Sequence, residues 1–218
     1  EVVPIGHTAG IRMKSEGVLV VRLDTVQTAD GERCPARDAG VREGDIIVSA
    51  GGKEVSSNAE LQTALKAAQG GAVELSIKRG DETHSVQVTA CTDRTGVYRL
   101  GILARDSMAG IGTLTYYDPT TGQYGALGHG VSNTKGNLLR MKSGDAYDAA
   151  VLTVKKGKCG EPGQLKGTAN TDTVIGELLR NTPQGVFGVT KRGWKGEPLP
   201  TASEEDIHTG KAAILSTV

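Results

Sequence analysis

The sequence contains few aromatic side chains and no long apolar run. Phe, Trp and Tyr together make up 3% of its 218 residues, and no apolar stretch approaches the ~20 residues that a helix needs to cross a bilayer. Glycine is abundant, with 31 residues, and the strand-like segments are short. This composition favours a mainly β protein of one large or two small domains over a helical bundle.

An excess of charge of either sign is also missing. Lys and Arg number 25, Asp and Glu number 25, and the formal net charge is zero. This balance indicates neither a nucleic-acid-binding surface nor a polybasic membrane patch. The short basic run Lys155-Lys156-Gly157-Lys158 is interpreted as a solvated turn.

The cysteines and histidines do not form metal-binding or redox patterns. Three cysteines lie far apart without C-x-x-C spacing, which argues against a disulfide framework or a zinc site. No histidine lies in an H-E-x-x-H pattern, and we expect no metal and no cofactor. The cysteines are Cys34, Cys91 and Cys159, and the histidines are His7, His84, His129 and His208.

The chain is expected to contain two domains. We place the first at 1–92 and the second at 97–218, joined near residues 91–97. The chain begins with Glu1 rather than Met, which indicates an excised or processed piece of a longer protein.

One helix is well marked in the first domain. Ser57 and Glu60 have the spacing of a capping box, in which each side chain satisfies the backbone N–H of the other residue. Leu61 and Leu65 then lie one turn apart on the same helical face. Apolar and polar residues alternate in two segments between residues 73 and 90, which predicts a β-hairpin.

The first domain resembles a bacterial-type PDZ domain, a small β-barrel with capping helices. The resemblance rests on Cys34-Pro35-Ala36-Arg37-Asp38-Ala39-Gly40-Val41-Arg42-Glu43-Gly44-Asp45-Ile46-Ile47, on Gly52-Lys53-Glu54-Val55 and on the capped helix. It implies that a peptide adds as a strand beside the sheet edge, against the helix. It also implies that backbone N–H groups of a glycine-containing loop hold the terminal carboxylate of the peptide. The implied peptide-binding residues are Thr8, Ala9, Gly10 and Ile11 in the loop and Asn58, Leu61 and Leu65 on the helix.

A histidine flanked by glycines is the most informative feature of the second domain. The stretch Gly125-Ala126-Leu127-Gly128-His129-Gly130 follows a strand-like run at 111–117 and a turn at 118–122. Glycine lets the backbone bend sharply and lets a substrate approach closely. An imidazole at this place can act as a general base near neutral pH. Considered alone, a single histidine carries little information, and a loop residue that merely fills a turn is the favoured interpretation of His129.

Four stretches of the second domain together resemble a known family. They are residues 105–119, residues 125–130, Ile175-Gly176-Glu177-Leu178 and Asn181-Thr182-Pro183-Gln184-Gly185-Val186-Phe187-Gly188. They are similar to the sporulation peptidases typified by stage IV sporulation protein B, in which a serine endopeptidase follows a PDZ domain. The resemblance runs over the entire chain. It implies a domain related to trypsin-like double β-barrels, with His129 as the general base.

The same resemblance implies a cellular role. The substrate would be a protein or peptide, including a membrane-bound sporulation regulator, and its cleavage would trigger regulated proteolysis. The protein would be extracytoplasmic, secreted by the forespore into the space between the mother-cell and forespore membranes. An N-terminal membrane segment outside this chain would tether it.

The family's nucleophile lies in a Gly-x-Ser-Gly-Ser-Pro-like motif, and no such motif occurs in this sequence. We therefore expect the serine, and also the acid, beyond residue 218, and we expect this piece alone to be inactive. A partial barrel would leave sheet edges and apolar faces exposed. A missing C-terminal segment, a second chain or dimerisation is expected to cover them.

Residues inside the chain are weaker candidates for the missing roles. Asp172 follows His129 at a spacing open to an orienting acid, although a solvated loop carboxylate is the default interpretation. Ser107 belongs to a family stretch but precedes His129 and lacks an oxyanion-hole pattern. The competing function is a non-catalytic scaffold that binds peptides through its PDZ domain.

Overall fold

Strands dominate the structure. The computed structural model of the protein describes residues 1–133, 136–161 and 163–215, and the mainly β fold predicted from the sequence is confirmed. Among the residues described, no helix is long and apolar enough to cross a membrane. The strands are β1 (Val3–Leu23), β2 (Val26–Thr28), β3 (Gly31–Arg33), β4 (Ile46–Ala50), β5 (Lys53–Glu54), β6 (Ala72–Arg79), β7 (Glu82–Thr89), β8 (Cys91–Thr92), β9 (Tyr98–Arg99), β10 (Ile102–Tyr117), β11 (Gln123–Leu127), β12 (Met141–Lys155), β13 (Gln164–Thr182) and β14 (Gly185–Thr190). The helices are α1 (Pro35–Asp38), α2 (Asn58–Ala67) and a 3-10 helix at Glu204–Asp206.

The chain divides into two compact units. The barrel unit comprises Glu1–Met13, Met108–Val131 and Met141–Val218, and the α2 unit comprises Lys14–Ser107 and Ser132–Arg140. The long strands β1 and β10 each contribute residues to both units. For this reason the units do not follow the predicted domain limits, 1–92 and 97–218, residue for residue.

The α2 unit is built around the strands β1, β4, β6 and β7. Ile47 of β4 lies opposite Val18 of β1 and Ile77 of β6. The predicted hairpin is confirmed as β6 and β7, with Gly80 at φ +61° in the turn between them. The sheet and α2 bury an apolar core formed by Val18, Val20, Ala36, Val41, Ile47, Ala50, Val55, Leu61, Leu65, Val73, Leu75, Ile77, Val88, Ala90 and Leu100.

Helix α2 begins where the sequence predicted. The Ser57 hydroxyl accepts from the backbone N–H of Glu60 at 3.2 Å, and the Glu60 carboxylate accepts from the N–H of Ser57 at 3.1 Å. The predicted capping box is therefore confirmed, and a cap of this kind contributes on the order of 1 kcal/mol. Leu61 and Leu65 are buried in the apolar core with residues of the sheet. Their burial holds α2 against the sheet.

A buried ion pair holds the loop that leads into β4. Asp45 is 1% exposed, and its carboxylate accepts two hydrogen bonds of 2.8 Å from the Arg79 guanidinium. It accepts a third, at 2.7 Å, from the backbone N–H of Arg42. The hydrogen bonds with Asp45 raise the pKa of Arg79, because they favour the charged guanidinium. Asp45 of the PDZ-like stretch therefore has a structural role.

Six strands of the barrel unit form a closed ring. Strand β10 pairs with β11, β11 with β14, β14 with β13, and β13 with β12. Strand β1 pairs with both β12 and β10 and so closes the ring. We expected a partial barrel with exposed sheet edges. The pairings place β1, from the start of the chain, as the sixth member beside the five later strands, and the expected exposure of apolar faces stays a prediction.

Two glycines of the barrel unit, Gly176 and Gly188, lie against the side chain of Tyr124. Tyr124 is 1% exposed, and its hydroxyl donates to the Glu177 carbonyl at 3.3 Å. A Cβ on Gly176 would lie 2.8 Å from the Tyr124 ring, and one on Gly188 would lie 2.5 Å from its hydroxyl oxygen. Only glycine lets the strands approach the ring this closely. Burial raises the pKa of Tyr124, so the phenol is neutral in the folded protein.

A polar cluster ties β1 to later segments of the barrel unit. His7 Nε2 lies 2.9 Å from the Asp148 carboxylate, and Arg192 donates two hydrogen bonds to the same carboxylate at 3.0 and 2.8 Å. The Trp194 ring packs against both partners of Asp148, at 4.4 Å from the His7 ring centre and 4.4 Å from the Arg192 guanidinium carbon. Asp148 therefore links three separate segments.

This cluster predicts a pH dependence of stability. Burial alone would raise the pKa of Asp148, but hydrogen bonds from His7 and Arg192 outweigh it and hold that pKa below its usual range. A lowered folded-state pKa means that Asp148 stabilises the fold above the unfolded pKa of about 4, and that this contribution is lost as the pH falls through the folded value. Asp148→Asn should therefore lower the free energy of unfolding at neutral pH, and the difference from wild type should shrink in acid.

Urea unfolding at a series of pH values measures this difference. Asp172→Asn, which removes an exposed carboxylate of β13, is the matched control. A gap between wild type and Asp148→Asn that is constant from neutral to acidic pH would contradict the linkage.

Candidate functional site

His129 lies on the exposed loop that follows β11. The backbone N–H of Leu127 donates to Thr115 Oγ1 at 3.0 Å, and that of Gly128 donates to the Gln184 carbonyl at 3.0 Å. Gly128 has φ +138°, a conformation that residues with a side chain rarely adopt. The glycine before the histidine is therefore required by the turn that presents His129.

Only one ring nitrogen of His129 is engaged in the part of the chain that the structure describes. Nδ1 lies 3.0 Å from the Gly130 carbonyl oxygen. A carbonyl can only accept, so Nδ1 carries the proton and Nε2 is left as an acceptor. An imidazole on an exposed loop, with Nε2 unengaged by the described residues, has the arrangement that a general base requires.

Asn181 holds the loop from the other side. Its side-chain oxygen accepts from the backbone N–H of Val131 at 2.8 Å, and its amide nitrogen donates to the Val131 carbonyl at 2.8 Å. The side-chain amide of Asn181 thus makes the same two hydrogen bonds to the backbone of Val131 that a neighbouring β-strand would make. Since Asn181 is part of β13 in the barrel wall, this pair fixes the chain two residues after His129.

Neither an acid nor a nucleophile contacts His129 within the described residues. Asp172 is exposed in β13, where its backbone N–H donates to the Asn170 side chain at 3.1 Å, and its proposed role as the acid stays a prediction. Ser107 is an exposed residue of β10. The described part of the chain also contains no group of three His, Cys, Asp or Glu residues that could hold a metal ion.

A groove of ≈ 620 Å³ runs along α2 in the α2 unit. Its helical wall includes Asn58, Leu61 and Leu65, the residues that the sequence placed there. The start of β10, Ile102 to Ala104, also lines it. The remaining lining residues are Asp24, Thr25, Val26, Gln27, Gln62, Asp93, Arg94, Thr95, Arg99, Leu100 and Gly101.

Hydrogen bonds connect α2 to the segment that includes β10 at two points. The Gln62 side chain donates to the Tyr98 carbonyl at 3.1 Å. The Asp106 carboxylate accepts from the backbone N–H of Asn58 at 2.9 Å, where it also meets the positive end of the helix dipole. These two contacts hold α2 beside that segment.

The loop before β10 has a constrained backbone and free donors. Gly101 has φ +74°, and a Cβ there would lie 2.6 Å from the Asp24 carbonyl oxygen. The carbonyls of Leu100 and Gly101 accept from the N–H groups of Ala36 and Asp24, each at 2.8 Å. The N–H groups of Leu100 and Gly101 donate to no acceptor among the described residues. The loop residues Leu100 and Gly101 thus line the groove next to the start of β10 and carry backbone N–H groups without an acceptor among the described residues.

The predicted carboxylate-binding loop lies elsewhere and is corrected. Thr8, Ala9, Gly10 and Ile11 are interior residues of β1 rather than a loop. Thr8 and Ala9 are 5% and 0% exposed, and Gly10 packs against Ala169 and Tyr147 of the barrel unit. Their buried, paired backbone is not available to a ligand.

The sequence did not single out Arg99 to Ile102, the loop residues that line the groove. Leu100-Gly101-Ile102 has the same Gly-Ile pair as Gly10-Ile11, but it lies where β10 begins, whereas Gly10-Ile11 lies inside β1. A glycine that interrupts an apolar run is a signal for a turn or a close backbone approach. Local pattern alone does not say which of the two pairs lies beside the helix.

These units together define a class of protein in which a PDZ domain accompanies a β-rich peptidase domain. The chain belongs to the SpoIVB peptidase S55 family, whose profile matches residues 96–218. The PDZ domain profile matches residues 9–90. Both resemblances inferred from the sequence are therefore confirmed.

Curated relatives and solved structures match the chain only in part. It is 46% identical over 55 residues to "Serine protease HTRA1" of Xenopus tropicalis, covering 25% of this chain and 12% of that protein. It is 31% identical over 68 residues to "Putative zinc metalloprotease CPE1693" of Clostridium perfringens, covering 31% of this chain and 20% of that protein. The PDZ domain of the SdrC-like protein from Listeria monocytogenes matches with 25% identity and a TM-score of 0.34, covering 42% of this chain and 90% of that chain. The chain thus spans a small part of the length of these two curated relatives.

The Asn181 pair yields a prediction. Asn181→Ala should release the His129 loop and lower the free energy of unfolding by roughly 1–3 kcal/mol, because two hydrogen bonds to Val131 are lost. Hydrogen exchange of the Val131 amide should accelerate more than that of the β13 amides. Asn170→Ala, on the same strand but exposed, is the control. Unchanged protection at Val131 would show that the amide does not hold the loop.

Proposed function

We propose that this chain is part of a serine endopeptidase of the sporulation signalling type. In this proposal His129 is the general base and the groove along α2 binds a peptide segment or C-terminus. The observation that carries the proposal is the exposed His129 with its accepting Nε2, in a chain of the SpoIVB peptidase S55 family.

The proposed peptide hydrolysis would use the imidazole of His129. A serine hydroxyl is a weak nucleophile until an adjacent base removes its proton. Nε2 of His129 would take that proton as the hydroxyl oxygen attacks the peptide carbonyl, and would return it to the departing amine. The serine and the orienting acid are expected from sequence that follows residue 218.

The groove suits an extended peptide. A ligand strand could lie beside Ile102 to Ala104 and against Leu61 and Leu65 of α2, as in strand addition. Its terminal carboxylate would accept from the free N–H groups of Leu100 and Gly101, which form a donor pair of the kind that binds anions. The groove would then select or position the substrate while the barrel unit supplies the base.

We also propose the partner and the place of action that the family implies. The substrate would be a membrane-bound sporulation regulator, and cleavage would take place outside the cytoplasm, between the mother-cell and forespore membranes. The signalling role rests on family membership.

His129→Ala in the complete protein tests the catalytic part. Removing the base should lower turnover of a peptide substrate by roughly 10⁴-fold or more, and should also suppress labelling by a fluorophosphonate that reacts with an activated serine. His208→Ala, which removes an exposed histidine elsewhere in the chain, should leave both readouts unchanged.

A competing function is favoured by one observation, the absence of any acid or hydroxyl partner of His129 within the described residues. In this alternative the protein is a scaffold that binds peptides without cleaving them. It predicts no fluorophosphonate labelling and normal peptide binding for both wild type and His129→Ala. That combination would replace the peptidase assignment.

Peptide binding is tested separately. Peptides with a free C-terminal carboxylate should bind at least about 10-fold more tightly than their amidated forms, because charge-assisted hydrogen bonds are lost on amidation. Gly101→Ala should weaken binding, since a side chain there is strained. Gly110→Ala, where a Cβ meets open space, is the control. Equal affinity for the two peptide forms would remove carboxylate capture from the proposal.

A further inference from the structure

The hairpin between β12 and β13 carries exposed apolar and basic side chains together. Its paired part runs from Val151 opposite Gly167 to Lys155 opposite Gln164. Within it Leu152 is 68% exposed and Val154 is 49% exposed. The tip is an ordered turn in which the backbones of Lys158 and Glu161 exchange two hydrogen bonds of 2.9 Å. We call this segment the ribbon.

The ribbon concentrates positive charge in a chain whose formal net charge is zero. Residues 151–167 contain four lysines and a single acidic residue, Glu161. None of the four lysines forms an ion pair within the described part of the chain. The lysines are Lys155, Lys156, Lys158 and Lys166. The balanced composition therefore concealed a local basic patch.

The register separates the two kinds of side chain. Val154 lies directly opposite Leu165, so the two share one face of the ribbon. Lys166 lies opposite Thr153 on the other face, and Lys155 shares that face because it is two residues beyond Thr153. Leu152 lies at an irregularity of the pairing, between Val151 and Thr153. The ribbon is thus amphipathic, with a basic face, an apolar face and a basic tip.

We propose that the ribbon docks on the surface of an anionic lipid bilayer. The apolar face would enter the boundary between head groups and acyl chains, as amphipathic segments do. Lysine is suited to this position because its long stem can follow apolar surroundings while its ammonium group stays among the anionic head groups.

A lipid surface fits the ribbon better than an acidic protein does. The exposed Leu152 and Val154 need an apolar environment that can deform around a narrow, two-sided ribbon. Mobile anionic lipids can gather around four separate ammonium groups without a preformed pattern of carboxylates. An acidic protein would need a groove shaped to the ribbon and acids at matching positions.

Vesicle binding tests the proposal. The protein should co-sediment with vesicles of equal parts phosphatidylcholine and phosphatidylglycerol, should not bind phosphatidylcholine alone, and should release as salt is raised. Cys159 at the tip is exposed, whereas Cys34 and Cys91 are buried. An environment-sensitive dye on Cys159 should therefore shift to the blue on binding.

Variants separate the two contributions. Replacing all four lysines by Gln should lower the partition coefficient on the anionic vesicles more than about 100-fold, since each lysine near such a surface is worth roughly fivefold. Leu152→Ser with Val154→Ser should lower it at least about 10-fold by removing apolar burial. The matched control is Lys53→Gln with Lys66→Gln, two exposed lysines of the α2 unit, which should bind as wild type does.

Several outcomes would overturn the proposal. Equal binding to both vesicle types, no binding to either, or unchanged binding of the four-lysine variant each contradict it. Binding to soluble polyglutamate without binding to anionic vesicles would assign the ribbon to an acidic protein instead. Circular dichroism of the variants shows whether they remain folded.

Discussion

Pairing of strand edges is the constraint on which the barrel unit depends. A strand with a free edge exposes unpaired backbone groups and invites association with other chains. Strand β1 pairs with both β12 and β10, which gives the ring of strand pairings its sixth member. The loop of His129 and the clamp of Asn181 both depend on this closed wall, because a base is useful only when its position is fixed.

Local chemistry was predictable, and long-range pairing was not. The capping box at Ser57 and Glu60 and the β6–β7 hairpin follow from rules that act within a few residues, and both are present. His129 is marked in the sequence by its glycine neighbours and by the family stretches, and its role as a base stays a prediction. The groove loop was misplaced because Gly10 and Gly101 both precede an isoleucine, and only pairing across the whole chain sends the first into the barrel unit. Asn181 has no sequence signal as a clamp, since its role depends on which backbone it faces.

The distribution of charge, like strand pairing, depends on contacts between residues that are distant in the sequence. The zero net charge of the chain predicts little about local fields, since ion pairs such as Asp45 with Arg79 neutralise one region while the ribbon keeps four lysines unpaired. At His129 the hydrogen-bond acceptor is a neutral carbonyl, from Gly130. A carbonyl can orient a neutral imidazole, but it stabilises an imidazolium less than a carboxylate does. The described residues thus orient the His129 ring through a neutral partner.

The closure of the barrel by its first strand also determines how the protein can fold. Strand β1 is synthesised before its partners β10 and β12, which follow only after most of the α2 unit has been made. The nascent strand must therefore remain unpaired during synthesis, and the barrel can close only through contacts between distant parts of the chain. Folds dominated by such non-local contacts form slowly, and an early strand with a free edge is prone to aggregate while it waits. Folding of the barrel unit is accordingly expected to lag behind that of the hairpin and helix of the α2 unit.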